Sequence, residues 1–208
     1  MTAAVQNALH ALYQQERERL LQQSSPAGWY DLPVFGKGQA VDPFLVLIGE
    51  APGKEEATSG RPFVGKAGKQ LDELLALAEI PRGRVYITNT VKYRPVIVSG
   101  KSVRNRTPGK PEIQESLPLL RAELALLSPA CIVTLGNVPL NAVLALYGEK
   151  PRTIGELHGK AYPLEGEQGA VTLFPLYHPA STIYNRALLP QCKEDIRALG
   201  TLYRKNGI

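Results

Sequence analysis

The apolar run LVLIG, Leu45 to Gly49, stops at a glycine and gives way to Glu50-Ala51-Pro52-Gly53, and this construction recurs twice more in the chain. Arg84–Thr88 runs into Asn89-Thr90-Val91-Lys92, and Val171–Leu176 runs into Tyr177-His178-Pro179-Ala180-Ser181. A short apolar run bounded by glycine or proline reads as a strand buried on both faces, the kind from which parallel sheets are built. Helical patterns stand between these runs. Leu71, Leu74, Leu75 and Ala78 follow the i, i+3, i+4, i+7 spacing of a helix over Gly65–Ala78 with one buried face. Strands alternating with helices predict a mainly parallel sheet covered on both sides, with all strand carboxyl ends on one edge. Ligands of such sheets bind just beyond that edge, so Glu50, Asn89 and His178 are placed to converge although they are far apart in sequence.

The remaining pattern fills in the same architecture. Residues 4–22 read as a helix, followed by a turn-rich stretch to Pro43 and a first strand over Phe44–Gly49. Pro111, at a first helical position, opens a helix to about Leu127. Cys131–Leu135 is a third strand, Val138–Tyr147 a helix, Thr153–Leu164 a small hairpin and Ala187–Lys205 a closing helix. With 208 residues, 44% of them hydrophobic, the chain is expected to form one domain over 1–208, with 1–33 as an N-terminal helix and turn-rich extension. No stretch reaches the roughly 18 to 20 apolar residues of a membrane span, and the polar N-terminus has no signal-peptide core, so a cytoplasmic protein without a membrane partner is expected.

Charge narrows the partner class. The 24 basic and 19 acidic residues leave a net +5, and the distribution matters more than the sum. From Lys92 to Lys110 the charged residues are Lys92, Arg94, Lys101, Arg104, Arg106 and Lys110, with no acid among them. Interrupted by Pro95, Gly100, Pro108 and Gly109, this reads as a long cationic loop beside the sheet edge, suited to phosphate contacts. The two cysteines, Cys131 and Cys192, form no CxxC or Cys/His cluster, so neither zinc nor a disulfide framework is supported. Gly60 to Ala67 nearly matches a nucleotide-binding GxxxxGK[ST] loop. It fails because Ala67 offers Mg²⁺ no hydroxyl and Pro62 removes a main-chain donor.

Taken in order, GEAPGKEEATSGRPFVGKAG, VYITNTVKYRP, NRTPGKPE, IVTLGNVPLNAVL and YHPAS resemble the uracil-DNA glycosylase superfamily, most nearly its family 4. The resemblance runs from about Val34 to the C-terminal helix. It implies a three-layer α/β/α sandwich around a four-stranded, mainly parallel sheet. It also implies hydrolysis of the bond between uracil and deoxyribose, a base-excision repair activity. On that resemblance Asn89 pairs with uracil O4 and N3–H, Phe63 stacks on the flipped ring, and His178 hydrogen-bonds the uracil oxygen as charge develops. Glu50 and Glu56 position water or stabilise the cationic sugar. Ala51, where family 1 has an aspartate, excludes direct general-base attack from that position. Gly53 replaces the tyrosine with which family 1 excludes thymine. After His178, with Ser181 alongside, Thr182 or Ile183 supplies an apolar wedge, Ile183 being chemically the better. Lys92, Arg94, Lys101, Arg104, Asn105 and Arg106 are expected on the DNA backbone, to a monomeric protein whose partner is uracil-containing DNA.

Two departures from the family pattern stand out. The four cysteines that hold the family 4 iron–sulfur cluster are missing, with Tyr93 and Ser116 at two of their positions and none over Leu20–Pro33. Without thiolates no cluster is expected, and packing by Trp29, Tyr30 and Tyr93 is expected instead. The loop Pro95–Arg106 has the length of the uracil-crosslinking subfamily's loop, but Asn105 stands where that subfamily has a nucleophilic histidine, so turnover rather than a covalent trap is expected. A non-catalytic DNA-binding homologue, or a glycosylase for hypoxanthine or xanthine, are the alternative readings.

Overall fold

The computed structural model describes residues 2–22, 33–166 and 169–206, the side chain of Thr2 excepted. Four parallel strands form the centre of the sheet: β2 (Leu45–Gly49), β3 (Val85–Asn89), β6 (Cys131–Leu135) and β8 (Gly169–Leu176). Their order is β3-β2-β6-β8, and an antiparallel strand closes each edge. β1 (Lys37–Gly38) pairs with β3, and β7 (Tyr162–Gly166) pairs with β8. The four-stranded expectation is thus corrected to six strands with a four-stranded parallel core. The edge strands escaped the sequence reading because neither is a buried apolar run.

Alternation along the central strands builds two cores. Leu45 and Leu47 face α3 (Lys66–Leu77) and α8 (Leu189–Lys205), meeting Leu71, Leu75, Ile196 and Leu199. Val46 and Ile48 face the opposite layer of α1 (Thr2–Leu21), α4 (Lys110–Leu127) and α5 (Asn137–Leu146), meeting Leu9, Leu120, Leu140 and Val143. Successive strand residues point to opposite faces, so runs apolar at every position cement both layers at once. Truncating one of these fully buried leucines to alanine costs about 2–5 kcal/mol. No helix among the described residues is long and apolar enough to cross a membrane.

Two local expectations change. The cationic loop contains a β-hairpin, β4 (Val96–Ser99) with β5 (Ser102–Asn105), and Thr153–Leu164 holds a one-turn helix, α6 (Ile154–Leu157), before β7. The short helices α2 (Lys54–Ser59) and α7 (Ser181–Tyr184) cap the sheet edge where the motif residues lie. The aromatic packing expected of Trp29 and Tyr30 falls outside the described residues.

Candidate active site

The parallel register carries Gly49 and Asn89 to the same level as partners, so the ends of β2 and β3 coincide. Thr90 and Val91 then fold over the end of β2, their N–H groups donating to the carbonyls of Gly49 and Glu50 at 2.8 and 3.1 Å. This bracing fixes Glu50 beside Asn89. Glycine at position 49 is demanded by crowding, since a Cβ there would lie 2.4 Å from Asn89 Oδ1 and 2.6 Å from the Phe63 ring. The strand end is therefore shaved to admit both side chains.

Phe63 adopts φ = 53°, a conformation disfavoured for a side chain of its size, which turns its ring inward. The ring lies 6.3 Å from that of His178 with a 36° tilt. Glu56, on α2, ties the surrounding loop together: its carboxylate accepts from Gly53 N–H at 3.1 Å, Val64 N–H at 3.1 Å and Gly65 N–H at 2.8 Å. With three main-chain donors on it, this carboxylate organises the wall of the loop while also lining the cleft.

A cleft of about 460 Å³ results, lined by Ala51, Gly53, Phe63, Asn89, Asn105, His178 and the exposed residues Ile183 and Tyr184. A larger hollow of about 610 Å³, bordered by Arg121, Tyr147 and Glu165, contains none of the motif residues.

The electrostatics of the cleft are set by burial. Glu50 has its pKa pushed above the ordinary carboxylate value by desolvation, partly offset by a hydrogen bond from the Thr107 hydroxyl. His178 has its pKa held below the usual imidazole value by burial, which favours the neutral ring. Its Nδ1 accepts from Ala180 N–H at 3.2 Å, so the neutral ring carries its proton on Nε2. His178 thus presents a neutral N–H donor to a cleft whose lining also holds Lys54 and Lys66.

Lys92 is not on the surface. It is fully buried, and its Nζ donates to Glu123 Oε2 at 2.5 Å, to Thr88 Oγ1 at 2.7 Å and to the Asn89 carbonyl at 2.5 Å. Glu123 also accepts from Tyr13 of α1 at 2.6 Å, and the Tyr13 and Tyr86 hydroxyls lie 2.5 Å apart. The DNA-contact expectation for Lys92 is therefore corrected: this cation braces the strand that carries Asn89. Arg106 pairs with Glu112 through both terminal nitrogens, at 2.6 and 2.9 Å, and braces the base of the hairpin rather than facing outward. Arg94 donates to Asn105 Oδ1 at 2.6 Å, while Lys101 and Arg104 are exposed. Of the two wedge candidates, Thr182 is buried with its hydroxyl bonded to the Pro179 carbonyl, whereas Ile183 is 45% exposed. Ser181 begins the helix that presents Ile183.

A family model described as the uracil DNA glycosylase superfamily matches residues 35–199. The chain belongs to the uracil-DNA glycosylase superfamily. It is 37% identical over 152 residues to the type-4 uracil-DNA glycosylase of Pyrobaculum aerophilum, spanning 73% of this chain and 74% of that one. Its identity to the type-4 uracil-DNA glycosylase of Thermotoga maritima is 35% over 176 residues, 84% of each chain. The type-4 enzyme of Archaeoglobus fulgidus is 35% identical over 161 residues, 77% of each.

An iron–sulfur cluster does not fit the residues of this superfamily member. A four-thiolate cluster needs four cysteines, whereas the whole chain has two, both buried, on β6 and α8. No group of three or more metal-binding side chains occurs among the described residues. Tyr93 is instead buried with Leu20 and Val91, flanked by Ala51 and Ile113, and its hydroxyl reaches Glu112. Ser116 Oγ donates to the Glu112 carbonyl at 2.8 Å. The sequence reading missed Thr107, Tyr184 and the bracing role of Glu123. Thr107 lies within the quoted NRTPGKPE segment, and Glu123 interrupts an apolar helix face.

Proposed function

We infer that this cleft hydrolyses the N-glycosidic bond of uracil in DNA, taking the flipped nucleotide and releasing free uracil. The observation that carries the reading is the meeting of a buried Asn89 amide, the Phe63 ring and the Nε2–H of a neutral His178 in one cleft, with Glu50 next in the chain to the lining residue Ala51. A base cannot be attacked within the duplex, so it enters a pocket and is read on its Watson–Crick edge. The Asn89 amide offers a donor to uracil O4 and an acceptor to N3–H, a pattern cytosine reverses. Phe63 supplies a face for the ring.

As the C1′–N1 bond lengthens, its electron pair moves onto uracil and the sugar gains oxocarbenium character. The Nε2–H of His178 donates to the uracil oxygen on which charge collects. Burial favours the neutral ring, and its Nε2–H binds the developing anion more strongly than the neutral base, which is the differential interaction that accelerates a reaction. Glu50 lies against the cationic sugar and orients water. The water oxygen adds to C1′ and its proton passes to the carboxylate, whose raised pKa improves it as an acceptor. Ala51 can take no part in proton transfer. The uracil anion takes up a proton from solvent, Glu50 returns the water's proton to solvent, and the products are uracil and an abasic deoxyribose.

The test is release of uracil from single-stranded and U:G duplex oligonucleotides, read as alkali-induced strand scission. Wild type is expected to cleave, and Asn89→Ala and His178→Ala to lose activity in both contexts. Binding without cleavage by the wild type would overturn the reading. A panel with hypoxanthine and xanthine in place of uracil fixes the base.

A further inference from the structure

Five of the six large apolar side chains that stand exposed among the described residues lie on two elements, the β4–β5 hairpin and α7, each of which also contributes a residue to the cleft lining. Ile97, Val98 and Val103 are on the hairpin, Ile183 and Tyr184 are on α7, and Leu21 is the one elsewhere. Soluble surfaces usually scatter such residues, and a gathered set marks a contact surface. Ile183 and Tyr184 line the cleft directly, and so does Asn105 at the end of β5.

Strand register fixes the direction of the hairpin's apolar pair. Val96 pairs with Asn105 and Val98 with Val103, while Ile97 pairs with Arg104. Directly paired residues share a face, and faces alternate along a strand. Val98 and Val103 therefore stand on the same face as Asn105, the cleft side, two positions nearer the tip. Ile97 and Arg104 occupy the other face. Gly100, at φ = 57°, gives the first turn position the positive φ of a tight two-residue hairpin, which keeps the projection short and stiff. Lys101 completes the turn, and no acidic residue occurs between Lys92 and Lys110.

An apolar pair set among exposed cations matches one kind of partner well: flat apolar rings joined by anionic linkers, as in a nucleic-acid strand. A purely apolar protein surface would leave the positive excess unanswered. We propose that the β4–β5 hairpin is a second DNA-engaging finger. Val98 and Val103 pack on the nucleotide neighbouring the extruded one, while Lys101 at the turn and Arg104 on the outer face attract the phosphates of the strand that passes the hairpin. DNA is then gripped from two margins of the cleft, by this finger and by Ile183–Tyr184. The inference rests on the reading of the cleft as a uracil-excision site. Its physical benefit is that flipping exposes stacked faces at a cost of a few kcal/mol, and a second apolar contact covers what one wedge leaves bare.

The test uses duplexes holding a tetrahydrofuran abasic analogue with 2-aminopurine on its 5′ or 3′ side. Wild type is expected to change the fluorescence in both positions. The V98S/V103S variant is expected to lose the change on one side and to bind the duplex roughly tenfold more weakly, its exposed sites leaving the thermal midpoint unmoved. The K101A/R104A variant is expected to keep both signals and to lower the slope of log K against log salt by about 2. Wild-type signals on both sides with V98S/V103S binding within twofold would overturn the proposal. So would conversion of a dimer to a monomer by V98S/V103S in sedimentation, which would assign the apolar pair to a second copy of the chain. Uracil release by the wild type, run in parallel, separates failure of the finger from failure of the cleft reading.

Discussion

Replacing Lys92 with methionine leaves the Glu123 carboxylate in a site with 0% side-chain exposure and without its cation. Tyr13 and Thr88 still donate to it, at 2.6 and 3.1 Å, but neither neutralises the charge. Breaking a buried ion pair from one side typically costs 3–5 kcal/mol, which for a chain of this length lowers the thermal midpoint by about 6–20 °C. The double variant K92M/E123M removes both charges and leaves unpaired hydroxyls at about 1 kcal/mol each, so it is expected to recover part of the loss. Activity is expected to behave differently. Lys92 Nζ also holds the Asn89 carbonyl at 2.5 Å, and the double variant does not restore that contact. A displacement approaching 1 Å in a positioning element can cost 10²-fold, so kcat/KM for uracil is expected to stay about 10- to 100-fold down as stability returns. Thermal melting by circular dichroism and uracil release, measured on wild type, Lys92→Met, Glu123→Met and the double variant, complete the cycle. A cost for Lys92→Met below about 1 kcal/mol would refute the buried-pair energetics. Activity recovering in step with stability would refute the positioning of Asn89.

Further outcomes are expected of the cleft residues and of the helix beside it. His178→Ala removes the donor to the developing anion and is expected to cut kcat by about 10²–10³ with a smaller change in KM, measured under single turnover. Because the His178 pKa is lowered by burial, the working neutral ring persists to acidity below the ordinary imidazole value, and the histidine-dependent fall in kcat is expected below pH 6.5. The same shift makes the unfolded chain bind the proton first, so this group's contribution to stability rises with pH up to that value. Glu50, with its pKa raised, has the opposite sign: its charge opposes folding above the carboxylate range. Glu50→Gln is therefore expected to raise the melting temperature at pH 7 while lowering kcat, and a fall in both would refute the desolvation argument. Ile183→Ala is expected to slow excision from duplex far more than from single strands, whereas Thr182→Val is expected to cost about 1 kcal/mol of stability through its lost hydrogen bond to Pro179.

The central fold was legible because its strands are apolar at every position, and only a sheet covered on both faces demands that. The meeting of Asn89 and His178 in one cleft was legible from parallel strand direction alone, before any side chain was placed. What escaped was set by contacts distant in sequence. The edge strands β1 and β7 are mostly exposed and carry no run to notice. The hairpin within the cationic stretch has the alternation of neither a buried strand nor a helix, and Gly100 reads equally as a loop glycine until its pairing is known. Glu56, expected among the catalytic carboxylates, lines the cleft, but its tie to the surrounding loop was not legible. Its three main-chain donors come from residues 53, 64 and 65, and only the folded loop brings them together.

Lys92 shows how composition misleads and where a better signal lay. A lysine in a cationic segment ordinarily belongs to the solvated surface. On α4, however, Leu119, Leu120, Leu124 and Leu127 form the buried stripe, and Glu123 falls within it at 0% exposure. An ionised acid on the apolar face of a helix requires a buried cation or a changed protonation state, because an isolated buried charge is too costly to retain. The cation has to come from a segment beneath that face. Val91, Lys92 and Tyr93 pass there, all buried, directly after the strand that carries Asn89. A buried pair of this kind adds little net stability over a well-packed apolar pair. Its value lies in the third contact that the ammonium makes. The charge that α4 requires is the same charge that fixes the Asn89 main chain, so the strand end that carries Asn89 into the cleft is held by a group whose position two layers of the fold determine.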